Sequence, residues 1–83
     1  MITEAQSKTE ARMYRKLAKQ KPAHFDSEIV WRERLTLMAA QVRNLFRAEI
    51  AGDMVAADNI RRSLKDNAKW LEGILRKPRL INR

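Results

Sequence analysis

The residues able to ligate a metal, attack an electrophile or move a proton are few. The chain has no cysteine and one histidine, so neither a thiolate nucleophile nor a multi-histidine metal site is available. His24, Asp26 and Glu28 alternate, but Asp26 and Glu28 stand where a helix start needs them, and no metal ligand is expected. Gly52 and Gly73 each lack a second glycine nearby, which rules out a glycine-rich phosphate loop. Carboxylate catalysis needs a sheltered cleft, whereas the ten acids are interspersed with bases on faces that read as exposed. The sequence therefore predicts a non-enzymatic protein with no catalytic residues and no cofactor.

What remains is the chemistry of charge and of aromatic rings. The formal net charge is +8, and it is unevenly placed. Residues 1–21 hold Lys8, Arg12, Arg15, Lys16, Lys19 and Lys21 against two acids, and the last eight residues hold Arg76, Lys77, Arg79 and Arg83 with no acid. Residues 22–52 and 53–75 each carry four charges of either sign. A charge run is often only a solvated helix face. Segregation to both ends points instead to an electrostatic partner, most simply nucleic acid. These ten cations are the candidate contacts for nucleic acid or for an acidic protein surface. The tryptophans could stack on bases; Trp31 falls within an apolar stripe and reads as core, while Trp70, at a stripe margin, is the candidate partner surface.

Helices must position these groups. Two glycines and two prolines among many Ala, Leu, Arg, Lys and Glu favour helix almost throughout. After Pro22, Asp26 is expected to cap a helix over about 26–51, with Phe25 and Val30 as its hydrophobic staple. Trp31, Leu35, Met38, Val42 and Leu45 then recur at helical spacing as one apolar stripe. Gly52 ends that helix and Asp53 caps the next, over about 53–76, whose apolar face runs through Ala57, Ile60, Leu64, Ala68 and Leu71. So short a connection predicts an antiparallel hairpin over 22–76. Asn67 falls in the second stripe, either fixing register or sitting at the seam edge.

Residues 1–21 form a basic N-terminal arm. Thr3 with Gln6, or Ser7 with Glu10, suits a capping box, and a helix is expected over about 4–19. Its apolar positions, Ala5, Met13, Tyr14 and Leu17, are sparse, so the helix reads as loosely attached or ordered only by a partner. Residues 77–83 read as a mobile basic tail after Lys77-Pro78. The fold class is thus all-α: a hairpin of two long helices plus a shorter basic helix. Val30 and Leu37 lie beside the main stripe of the first long helix, and the N-terminal helix or a second subunit should cover them. Eighty-three residues bury a small core, so completion of a bundle by dimerisation or an obligate protein partner is expected.

The run Gly52-Asp53-Met54 with Ala57, Ile60, Arg61 and Leu64 resembles the turn and second helix of many helical hairpins, including the short module at the ends of nucleotide-excision-repair nucleases. It uses generic helix-packing positions and implies no function. In shape, a basic-ended hairpin also resembles small plasmid-encoded dimers that bind paired RNA loops. No apolar run approaches the length of a membrane span and no signal-peptide core is present, so the expected location is cytoplasmic, or the host cytoplasm for a viral protein. Three roles follow: a nucleic-acid-binding accessory protein; a viral or mobile-element interaction module for an acidic protein surface; and a membrane-surface role, for which the basic helix has too thin an apolar face.

Overall fold

The computed structural model describes residues 1–76. Lys77, Arg79 and Arg83 of the expected tail lie outside the described residues. Among the described residues there are three helices: α1 (Glu4–Ala18), α2 (Glu28–Ile50) and α3 (Met54–Arg76).

Local chemistry sets their ends. Thr3 and Gln6 form the capping box, each side chain accepting from the other's backbone N–H, so α1 begins at Glu4. The start of α2 differs from expectation. Ser27, with extended backbone, accepts from the Val30 N–H at 3.2 Å, and Asp26 stays in the connecting loop. Both residue types cap well; here the serine one position nearer the helix does it. Gly52 adopts the left-handed conformation, φ 74°, which a side chain would strain. Asp53 then accepts from the Ala56 N–H at 3.1 Å and α3 starts.

The central helix is α2. Trp31, Leu35, Met38 and Val42 on its stripe are fully buried, and Leu45 nearly so. Polar pairs mark how α3 lies against it: Glu49 meets Arg61, Gln41 meets Ser63 and Asn67, and Arg34 lies over Trp70. Numbers fall along α2 as they rise along α3. Buried Asn67 donates to Gln41 Oε1 at 3.0 Å, so it belongs to a cross-helix hydrogen-bonded pair.

The expectation that the N-terminal helix is loosely attached is overturned. α1 packs along α2, with Ile2 at the Glu49 end and Leu17 at the Trp31 end. It buries Ser7, Ala11, Tyr14 and Ala18; Ala5 and Met13, counted among its apolar positions, stay exposed. Three of the four buried residues are small. They let the helix axes approach, so the contact needs few large apolar side chains.

The two ends of this rod, 49 Å long and about 20 Å across, are tied differently. At one end Phe25, Trp31 and Trp70 cluster in tilted and edge-to-face contacts with centroids 5.7 to 5.9 Å apart, and Trp31 Nε1 donates to the Leu17 carbonyl at 2.8 Å, satisfying an acceptor at the end of α1. At the other end buried Glu49 accepts from the Ile2 N–H and from Arg61 Nη2. The Ile2 hydrogen bond, followed by Arg61, outweighs burial and holds its carboxyl below the ordinary value.

Candidate nucleic-acid interface

On α1 every buried residue is followed at once by a cation: Ser7 by Lys8, Ala11 by Arg12, Tyr14 by Arg15 and Ala18 by Lys19. Neighbouring helix residues are turned by about 100° from one another. A four-residue basic stripe therefore runs alongside the buried one, down one flank of the helix. Lys16, four residues after Arg12, widens it toward solvent. All five are exposed.

The same flank faces α2. Arg15, Ala18 and Lys19 share a groove of about 440 Å³ with Arg32 and Thr36. Further along, Arg43 Nη1 donates to the Ser7 hydroxyl, beside Lys8. Thr36, Arg43 and Arg47 follow Arg32 at helical spacing, which places them on this side of α2; Arg43 is half-buried, and Arg47 donates to Asn44 Oδ1 at 3.1 Å on the outer margin. The cations of two helices thus form one basic face. From Lys8 to Lys19 it extends about 17 Å at ~1.5 Å per residue.

Acids border this face without neutralising it. Glu4 pairs with Lys8 at 3.6 Å and Glu28 with Arg32 at 2.7 Å, and every one of these side chains is more than half exposed. Such pairs contribute little and exchange readily for another anion. Glu49 points inward, and Glu33 lies one residue further round α2 than Arg32. Glu10 sits on the opposite flank of α1, where it acts on Tyr14: burial first, then the Glu10 charge, raises the tyrosine pKa above its usual 10.0. The phenol stays neutral at physiological pH.

The other sequence-derived candidates are placed elsewhere. Lys21 donates its ammonium to the carbonyls of Pro22 and Phe25, where it holds the α1–α2 connection. Arg76, at the end of α3, pairs with Glu72 at 3.1 Å. Val30 and Leu37 are 44% and 48% exposed; α1 packs on a different side of α2. Trp70 is half-buried, with its ring against Phe25 and Trp31 and under the Arg34 guanidinium, 4.6 Å from the centroid. Arg32, Arg43 and Arg47 were missed because their segment is neutral by count. Their spacing on one α2 face was the available signal.

Among the described residues no group of three or more His, Cys, Asp or Glu is placed to hold a metal, and no helix is long and apolar enough to cross a membrane. Comparisons with protein-family models, with curated proteins and with solved structures give no match.

Proposed function

We propose that this is a small non-enzymatic nucleic-acid-binding accessory protein that grips a phosphate backbone along the α1–α2 edge. One observation carries the reading: Lys8, Arg12, Arg15 and Lys19 on α1 share an edge with Arg32, Arg43 and Arg47 on α2. A polyanion laid there meets cations from two helices and releases its condensed counterions. Arginine adds a planar fork that matches two phosphate oxygens.

Rigidity supports the same reading. The stripe rides on a helix fixed by buried Ala11, Tyr14 and Ala18 and by the Trp31–Leu17 hydrogen bond, so little ordering remains to oppose binding. Contacts of this kind set position and leave sequence unread. The α2–α3 pair acts as a helical hairpin on which α1 is mounted.

Fluorescence anisotropy with a labelled DNA duplex and a labelled RNA hairpin tests the proposal. Changing Arg12, Arg15 and Lys19 together to Gln should weaken binding by about tenfold or more at physiological salt. Arg62→Gln, removing an exposed cation from α3, should matter far less per charge. An equal loss per charge at both places would refute the edge, and absence of binding even at low salt would refute the nucleic-acid reading and favour an acidic protein surface.

A further inference from the structure

The opposite flank of α1 faces α3 and is built differently. α1 and α3 both lie on α2, yet no Cα of one comes within 8 Å of a Cα of the other. Between them runs a groove of about 460 Å³ walled by Met13, Tyr14, Ala68, Leu71 and Leu75. Tyr14 and Leu71 are buried in its floor, while Met13 and Leu75 are 46% and 49% exposed on its banks. Apolar groups of this size, side by side and open to water, favour burial against another surface.

We propose that a second copy of this chain covers the groove, related by a two-fold axis parallel to the helices. Such an axis sets the α1 bank of one protomer against the α3 bank of its partner, and the two grooves close into a four-helix layer.

The charges on the banks select this occupant and this axis. The α1 bank carries Glu10, on the same flank as Met13 and Leu17 by its spacing. The α3 bank carries Lys65, Lys69 and Glu72, and Glu72 is paired with Arg76 of its own helix at 3.1 Å. Their heights match when α2 is used as a ruler. Arg43 bonds Ser7 on one side, and Gln41, two residues away, bonds Ser63 and Asn67 on the other. Glu10 is nearly one turn beyond Ser7 toward the Trp31 end, which brings it level with the stretch between Lys65 and Lys69. An axis along the helices preserves height, so Glu10 meets the partner's Lys65 and the partner's Lys69, and the contact is made twice. A two-fold axis across the helices would instead set each bank against its own kind. The basic edge lies on the other flank of α1 and stays open in this dimer.

Sedimentation velocity of the full chain over a concentration series is the test. The expected result is a dimer at micromolar concentration that Met13→Glu with Leu75→Glu converts to a monomer, with helical circular dichroism unchanged because both sites are half exposed. Glu10→Lys should weaken association by about tenfold, and adding Lys65→Glu and Lys69→Glu to that chain should restore it. A wild-type monomer at all concentrations, a dimer indifferent to the Met13/Leu75 pair, or a charge swap without rescue would each overturn the proposal. None of these outcomes depends on nucleic-acid binding, so the two proposals fail separately.

Discussion

The two flanks of α1 share one helix and one central neighbour, yet one is a basic edge and the other an apolar groove. Lys8, Arg12, Arg15 and Lys19 line the first with α2, while Met13, Tyr14 and Glu10 border the second with α3. The difference is one of angle. Shifting a residue by one place along the chain turns it about 100° around the helix, enough to move it from the buried stripe to either flank. Net charge per segment averages over that angle. Residues 22–52 sum to zero, yet Glu49 faces inward while Arg32, Arg43 and Arg47 line one edge.

Both flanks depend on α2, so the largest expected effect comes from its core. Leu35 is fully buried; Leu35→Ala should cost about 2 to 5 kcal/mol, the usual range for emptying a buried leucine site. In so small a domain that is a large share of the total. Chemical denaturation should show the loss, with polyanion binding and self-association falling together. Retention of either one in a chain that has unfolded by circular dichroism would mean that the corresponding flank does not need the fold.

An intermediate effect is expected at Glu49, which fastens the residues just before α1, and also α3, to α2 through Ile2 and Arg61. Its folded pKa is lowered, so its contribution to stability is fully present above the ordinary carboxyl value of 4.5 and is lost as pH falls through the lower folded value. Glu49→Gln should therefore be less stable than wild type at neutral pH and should lose less on acidification. Thermal melts from pH 7 to pH 3 check the sign; parallel curves for the two proteins would show that the carboxylate contributes no pH dependence.

Much of α2 was legible from spacing alone. Trp31, Leu35, Met38, Val42 and Leu45 form a stripe of large apolar side chains, and all are buried. The left-handed Gly52 was legible because few residue types serve there, and the α1 cap was legible as one of two, Thr3 with Gln6 rather than Ser7 with Glu10. The attachment of α1 was not, since Ser7, Ala11 and Ala18 are small and carry no hydrophobic signal in proportion to the contact they permit. Glu49 was hidden too: a buried carboxylate is read from its partners, and Ile2 lies 47 residues away. At Asp26 and Ser27 two good capping types were adjacent, and spacing could not choose between them. The basic edge was half visible, its α1 stripe crowding the N-terminal segment while its α2 members were masked by acids on other faces.

The smallest structural disturbance gives the most direct test of the basic edge. Exposed substitutions on α1 leave stability nearly unchanged, so binding can be read alone. Duplex DNA affinity should be measured by anisotropy over a range of salt concentrations for the wild type and for the chain with Arg12, Arg15 and Lys19 changed to Gln. If the edge engages about five phosphates, the wild-type log–log slope should be near −4.5, at roughly −0.9 per contact, and the variant slope should shrink to about −1.8. A variant that keeps the wild-type slope would contradict the claim that the α1–α2 edge holds the phosphates.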